Sequence, residues 1–165
     1  MKILVMGLPG SGKTVFASKL ADVLDCPRLN NDEVRKAADD WDFSDGGRLR
    51  QCIRMKEMAE AVDSKIVICD FICPTEELRQ LFEPDLLIWL DTIRQSIHRD
   101  TNKLFEPPGW FHYKVCTRSN NLYDLAIRHV KKTIFNEHPK NEHPKNEHPK
   151  KEYPRREHSR RIKNR

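Results

Sequence analysis

Short apolar runs alternate with helix-like patterns through residues 1–135 of the chain. Several runs, Leu86–Leu90 among them, are continuously apolar, which indicates strands that are covered on both faces. The predicted strands are Ile3–Met6, Pro27–Leu29, Lys65–Cys69, Leu86–Leu90 and Tyr113–Cys116. The predicted helices are Thr14–Leu24, Arg48–Val62, Thr75–Phe82 and a last one that starts at Asn120 or Asn121 and ends at Ile134. This alternation predicts an α/β domain with a central, mostly parallel sheet between helical layers.

Two stretches near the C-terminal end add to this pattern. The polar, proline-containing stretch from Arg94 to Trp110 shows no regular period, so no element is predicted there. The last helix is predicted to have one mainly apolar side, made of Leu122, Leu125, Ala126, His129 and Val130.

The first predicted strand leads into a complete G-x-x-x-x-G-K-[ST] motif, Gly7-Leu8-Pro9-Gly10-Ser11-Gly12-Lys13-Thr14. Its glycines let successive backbone N–H groups point at one anion, and the following helix adds the unpaired donors of its first turn. We expect Lys13 to reach the β- and γ-phosphates of ATP and the Thr14 hydroxyl to bind Mg²⁺. Strand, loop and helix in this order predict a three-layer P-loop NTPase fold.

The net charge of +5 belongs to residues 136–165, because residues 1–135 carry equal numbers of acidic and basic side chains. The sequence Asn-Glu-His-Pro-Lys occurs there three times in succession, and proline every fifth residue with little to bury predicts a disordered tail. Five cysteines with no C-x-x-C pair favour reduced thiols in a cytoplasm. No apolar run is long enough to cross a membrane, and no signal peptide is recognised.

Polar side chains follow the second and third predicted strands, at the sheet edge where ligands of such folds gather. Asp32 is a candidate to accept the proton of an attacking hydroxyl or to hold Mg²⁺, and Arg35 to clamp a substrate phosphate. A helix N-cap with a surface ion pair is the other reading of this segment. Asp70 fits either an acid that organises Mg²⁺ or a cap of the turn that follows.

The helix predicted to begin at Arg48 has a basic face formed by Arg48, Gln51 and Arg54. Two guanidinium groups and an amide at this spacing suit a phosphate or a sulfate. Phe43 and Phe71 stand in loops at the same edge, where two rings can hold a flat base between them.

These segments resemble, in order and spacing, the adenylylsulfate kinases. The matching segments are Gly7–Thr14, Leu29–Arg35, Phe43-Ser44 with Arg48, Gln51 and Arg54, Phe71-Ile72-Cys73-Pro74, Leu90-Asp91-Thr92, Arg99-Asp100 and Phe105-Glu106-Pro107-Pro108. The resemblance implies a phosphotransferase with an alcohol group as acceptor, which moves the γ-phosphoryl of ATP to the 3′-hydroxyl of adenosine 5′-phosphosulfate or a similar nucleotide. It also implies Mg²⁺ as a cofactor and a role in sulfate assimilation.

The resemblance assigns a role to each matching residue. The nucleotide site comprises Gly7, Leu8, Pro9, Gly10, Ser11, Gly12, Lys13, Thr14 and Arg99. The acceptor site comprises Asp32, Arg35, Phe43, Arg48, Gln51, Arg54, Phe71 and Ile72. Lys13 and Asp32 would be catalytic, and Thr14, Asp32 and Asp70 would be the metal ligands.

The matching segments are not identical to those of the family, and three of the departures are the following. Gly47 replaces an acidic residue, and Gln51 replaces an asparagine. Only Thr101-Asn102-Lys103-Leu104 separates Asp100 from Phe105, where the family has a longer basic lid that closes over both substrates.

Two other functions remain open from the sequence. Polynucleotide 5′-hydroxyl kinases also carry N-x-D-x-x-R after the second strand, which Asn30, Asp32 and Arg35 fit, and an aspartate after the third, as at Asp70. The balanced charge of residues 1–135 does not favour a nucleic-acid partner. A non-catalytic nucleotide binder is the other alternative. The oligomeric state stays open, with a homodimer among the options.

Overall fold

A five-stranded sheet with every strand pair parallel forms the centre of the molecule. The computed structural model describes residues 1–136, so the predicted tail lies outside the described residues, except for Asn136. The strands, in the sheet order β2-β3-β1-β4-β5, are β1 Lys2–Met6, β2 Arg28–Asn30, β3 Val67–Asp70, β4 Leu86–Leu90 and β5 Tyr113–Val115. The helices are α1 Lys13–Leu24, α2 Asn31–Ala37, α3 Asp45–Ala61, α4 Glu76–Phe82, α5 Arg99–Leu104 and α6 Asn120–Asn136. The predicted α/β architecture with a central parallel sheet is confirmed.

The strand β1 is buried on both faces because its side chains alternate between two hydrophobic cores. Ile3 and Val5 pack into the core shared with α1 and α6, whereas Leu4 and Met6 pack into the core shared with α3 and α4. The continuous apolar pattern of the strand therefore has its cause in helices that cover both sides of the sheet.

One expectation about the C-terminal half was wrong, and another was right only in part. The stretch from Arg94 to Trp110 contains the helix α5, whose six residues are too few to show an apolar period. The buried side of α6 carries Tyr123, Ile127 and Val130.

Of the predicted apolar side, Val130 is buried and Ala126 is partly buried, as expected. Leu122, Leu125 and His129 are exposed, so the predicted side is rotated from the buried one. The edge-on contact between Tyr123 and Phe16 of α1 contributes to this orientation, with ring centroids 5.2 Å apart.

All five cysteines lie in the described part and are free thiols. Over residues 1–136, no helix combines the length and the apolar character that a bilayer span needs.

Candidate active site

A cavity of about 580 Å³, here called the edge cavity, opens where β1, β2 and β3 end. It is lined by Pro9, Gly10, Lys13, Thr14, Asn30, Asn31, Asp32, Trp41, Phe43, Arg48, Asp70, Phe71, Ile72, His98, Asp100 and Thr101. The cavity thus joins residues predicted for the phosphate site, the metal site and the acceptor site. Parallel strands bring them together because their carboxyl ends meet at one edge.

The phosphate loop takes backbone conformations that its glycines permit. Gly7 has φ +149°, and a Cβ atom there would lie 2.4 Å from the carbonyl oxygen of Leu90. Gly12 has φ +93°, and a Cβ atom on Gly12 would lie 2.5 Å from the Tyr123 hydroxyl oxygen. Because no side chain caps the start of α1, the first-turn N–H groups of that helix are free of a side-chain acceptor.

The side chain of Lys13 lies against the backbone of this loop. Its Nζ donates a hydrogen bond to the carbonyl oxygen of Leu8 at 2.9 Å. Burial lowers the pKa of Lys13 to about 8, while the charges of Asp70 and Asp32 oppose that shift and the charge of Arg118 adds to it. The ammonium group is therefore poorly solvated, and a phosphate anion would compensate it.

The third strand places Asp70 behind the loop, where the carboxylate is nearly fully buried. Its two oxygens accept hydrogen bonds from Asn30 Nδ2 and Arg28 Nη1, each at 2.6 Å. Burial raises the pKa of Asp70 above its usual value, against the opposing effect of these partners. Asn30 also caps α2, since its side-chain oxygen accepts from the N–H groups of Asp32 and Glu33 at 3.1 Å. The N-cap that the sequence left open for this segment therefore exists, and Asn30 forms it.

The residues proposed for magnesium are oxygen donors of the kind this ion prefers. The Thr14 hydroxyl and the carboxylates of Asp32 and Asp70 line the same cavity, so the donor set fits Mg²⁺. Asp32 is exposed to the cavity, whereas both oxygens of Asp70 are engaged, which favours contact with a cation through water. Between residues 1 and 136, no three His, Cys, Asp or Glu side chains gather into a metal site of protein ligands alone.

The three predicted acceptor arginines differ in their surroundings. Arg35 is only 3% exposed, and its Nη1 donates to the carbonyl oxygens of Asp40 and Asp42 at 2.8 and 3.0 Å. Its guanidinium also lies 4.8 Å from the centre of the Phe43 ring. Arg35 therefore supports the turn that carries Phe43.

Arg48 and Arg54 pair with acids of this chain. Arg48 lines the edge cavity. Its Nη2 donates to Asp100 Oδ2 at 2.9 Å, and its Nε donates to the carbonyl oxygen of Phe43 at 2.9 Å. Arg54 bonds Asp40 at 2.9 Å and also Gln51, outside the edge cavity. The hydrogen bond from Arg54 holds the pKa of Asp40 well below its usual range, and a hydrogen bond from Arg50 adds to the effect.

The two predicted base-binding rings are not equally accessible. Phe43 is 50% exposed and lies beside Trp41, with ring centroids 6.5 Å apart. Phe71 is 5% exposed and packs edge-on against Phe82. Phe43 and Trp41 thus form the open aromatic wall of the cavity, and Phe71 offers only a small part of its ring.

Two further predicted residues lie apart from this wall. Gln51 donates from Nε2 to the carbonyl oxygen of Asn31 at 3.3 Å and lines a small recess beside the edge cavity. Arg99 is exposed at the start of α5 and does not line the edge cavity.

Sequence reasoning missed six residues of the cavity wall: Asn30, Asn31, Trp41, His98, Asp100 and Thr101. Trp41 could have been found, because it precedes Phe43 by two residues in the same loop. Asn30 and Asn31 lie in the segment Leu29–Arg35 that the resemblance had already matched. His98, Asp100 and Thr101 lie at or in α5, which shows no period in the sequence.

The start of α3 explains why an acid is absent at Gly47. A Cβ atom on Gly47 would lie 2.3 Å from the carbonyl oxygen of Asp42 and 2.5 Å from its carboxyl carbon. Asp42 itself accepts from the Ser44 N–H at 2.9 Å and from Arg50 Nη2 at 2.9 Å. The hydrogen bonds of Ser44 lower the pKa of Asp42 to about 2, with a smaller effect of Arg50.

Replacing Gly47 by alanine is expected to lower the free energy of unfolding by about 1–3 kcal/mol, because backbone atoms block the added methyl group. Gly46→Ala is the matched control, since its nearest neighbour would be 3.9 Å away, and it should stabilise the protein by about 0.4–1 kcal/mol. Urea unfolding of both variants measures the difference. Equal effects of the two substitutions would contradict the crowding at Gly47.

Comparison with known proteins supports the phosphate loop and the family resemblance. A family model described as an AAA domain matches residues 3–54. A probable adenylyl-sulfate kinase from Aeropyrum pernix is 31% identical over 121 residues, which cover 63% of this chain. The match spans 66% of that relative's length, just under two thirds.

Solved kinase structures share the fold. An APS kinase from Mycobacterium tuberculosis, carrying a cysteine-to-alanine substitution, has a TM-score of 0.60 at 19% identity, with 81% of this chain and 95% of that chain covered. A shikimate kinase from Acinetobacter baumannii in complex with shikimate has a TM-score of 0.58 at 20% identity, with coverages of 84% and 95%. Together with the phosphate loop, these similarities show that the chain has the fold of the P-loop kinases and resembles the adenylyl-sulfate kinases.

Proposed function

We propose that the chain transfers the γ-phosphoryl group of ATP to a hydroxyl of a small nucleotide. The 3′-hydroxyl of adenosine 5′-phosphosulfate is the acceptor group that the family resemblance favours. The observation that carries the proposal is the edge cavity, which connects the phosphate loop directly with Asp32 and the aromatic wall of Trp41 and Phe43. A donor and an acceptor bound at its two ends would meet between Lys13 and Asp32.

The phosphate loop would supply most of the charge stabilisation. Backbone N–H groups of the loop and the ammonium of Lys13 would bind the β- and γ-phosphates and neutralise the charge that develops during transfer. Mg²⁺, held by Thr14 together with Asp32 or Asp70, would neutralise further phosphate charge. Because these groups are fixed before the substrates bind, they need little reorganisation during the reaction.

Asp32 is the proposed acceptor of the hydroxyl proton. Its carboxylate stands at the first turn of α2, exposed to the cavity, with Oδ1 bonded to Asn31 Nδ2 at 3.0 Å. In this position it would orient the attacking hydroxyl and take up its proton as the new O–P bond forms.

The acceptor would lie between the aromatic wall and Arg48. Phe43, with Phe71 and Ile72 opposite, would bind the base, and Arg48 would bind an anionic group in exchange for Asp100. Arg35 and Arg54, with Gln51, would complete the acceptor site mainly by holding the turn before α3 and the start of α2.

Replacing Phe43 by alanine is expected to raise the KM for the acceptor roughly tenfold or more, because a stacked base loses its ring contact. The KM for ATP should stay within a factor of about two of the wild type, since Phe43 is not part of the phosphate loop. Phe135→Ala removes an exposed ring on α6 and serves as the matched control. An unchanged KM for the acceptor would exclude Phe43 from the base site.

A transfer assay with γ-labelled ATP tests the proposed function itself. Adenosine 5′-phosphosulfate, free nucleosides and oligonucleotides with a 5′-hydroxyl are offered separately, and labelled product is measured. We expect labelling of a small nucleotide acceptor. Labelling of the oligonucleotide alone would favour the polynucleotide kinase alternative, and ATP binding without any labelled product would favour a non-catalytic nucleotide binder.

A further inference from the structure

Arg118 lies in the loop between β5 and α6, beside the phosphate loop. A Cβ atom built on Gly10 would lie 3.9 Å from Arg118 Nη2, and one built on Gly12 would lie 3.8 Å from Arg118 Nε. The guanidinium group therefore stands directly against the segment that connects β1 with α1.

Thr92 connects Arg118 with the phosphate loop through two hydrogen bonds. The Thr92 hydroxyl donates to the carbonyl oxygen of Ser11 at 2.6 Å, and it accepts from Arg118 Nε at 3.4 Å. Thr92 follows β4 and Arg118 follows β5, and these strands are paired neighbours in the sheet. The position of the guanidinium is thus set by the sheet and by the phosphate loop together.

The charge of Arg118 is not neutralised by the described part of the chain. Arg28, Arg48 and Arg54 each form an ion pair with a carboxylate. Within residues 1–136, by contrast, Arg118 makes no ion pair at or below 4.0 Å. It adds an unpaired cation to a place that already holds Lys13 and a set of free N–H groups, and this combination suits a polyanion.

Arg118 is also separate from the acceptor region. It does not line the edge cavity, where Asp32, Asp70 and Asp100 are found. An anion that contacts both Arg118 and the phosphate loop would therefore lie on the donor side of the loop. The short stretch between Asp100 and Phe105 offers a single basic residue, Lys103, as an alternative cation.

We propose that Arg118 binds a phosphate group of the donor nucleoside triphosphate and so acts as a second cation of the phosphate site, beside Lys13. The inference rests on the proposed function, because it requires a nucleotide at this loop. In this arrangement the chain provides the cation from a loop fixed to the sheet instead of from a long basic lid. Its free Nη groups would donate charge-assisted hydrogen bonds to phosphate oxygens.

The test measures nucleotide binding and turnover for Arg118→Ala and Arg118→Lys in the full chain. Arg128→Ala is the control, because Arg128 is an exposed arginine on α6 whose Nε donates to the carbonyl oxygen of Asp124 in its own helix. We expect Arg118→Ala to raise the Kd for MgADP and the KM for ATP about tenfold, the effect of one charged hydrogen bond. Arg118→Lys should recover part of the loss, and the acceptor KM should not change.

Three results would overturn the inference. Nucleotide affinity of Arg118→Ala equal to that of Arg128→Ala would remove Arg118 from the site. An equal loss of affinity for adenosine, which has no phosphate, would show a contact with the base instead. A matching loss in Arg118→Lys and Arg118→Ala, together with a lowered Tm of both, would show a structural role only. Absence of ATP binding by the wild-type chain would instead refute the proposed function.

Discussion

Substitution of Lys13 by alanine should reduce phosphoryl transfer from ATP by roughly a hundred- to a thousandfold. The side chain carries the one ammonium group that lies within the phosphate loop, and its loss leaves developing phosphate charge without a direct partner. The effect should appear mainly in kcat, because backbone N–H groups would still bind the triphosphate. Initial rates with γ-labelled ATP at saturating acceptor measure it.

Lys19→Ala is the matched control for this substitution. Lys19 lies on the same helix α1 and pairs with Asp124 at 3.2 Å, away from the edge cavity. We expect a change in rate of less than about twofold, because an exposed ion pair contributes little to stability. If Lys13→Ala retains the activity of the control, the phosphate loop does not perform the proposed catalysis.

Substitution of Asp32 by asparagine should lower kcat by roughly a hundred- to ten-thousandfold. Asparagine keeps the size of the side chain and its place at the start of α2, but it cannot take up the proton of the attacking hydroxyl. The KM for the acceptor should change much less than kcat. Single-turnover measurements with bound ATP separate the chemical step from substrate binding.

Asp39→Asn provides the comparison for Asp32→Asn. Asp39 is exposed beyond the C-terminal end of α2 and has φ +47°, a conformation that asparagine tolerates. It removes the same charge without entering the edge cavity. A similar kcat for Asp32→Asn and Asp39→Asn would mean that Asp32 is not the general base.

The parts of the fold that could be predicted from sequence are those with local causes. The phosphate loop is encoded in eight successive residues, and β4 is encoded in five successive apolar residues whose predicted bounds are the observed ones. The helix α5 could not be predicted, because its six residues show no apolar period and its Asp100 and Thr101 bond Arg48 of α3, which is more than fifty positions away.

In the candidate site, too, some features could be predicted from local sequence and others depend on distant residues. Sequence order placed Asp32, Asp70 and Phe43 at one sheet edge, and the structure brings all three to one cavity. The partners of Arg48 and Asp70 could not be foreseen, since Arg48 bonds a residue 52 positions away and Asp70 one that is 42 positions away. The different exposure of Phe43 and Phe71 depends in the same way on distant packing.

The close approach of Asp42 to Gly47 links substitutions at position 47 of α3 to the position of the turn before that helix. The turn before α3 carries both rings of the aromatic wall, and it can keep its place only while position 47 has no side chain. A side chain at position 47 would fit only after the turn had shifted, and that shift would displace Trp41 and Phe43. A helix residue outside the edge cavity thus limits, through epistasis, which substitutions the aromatic wall could later accept.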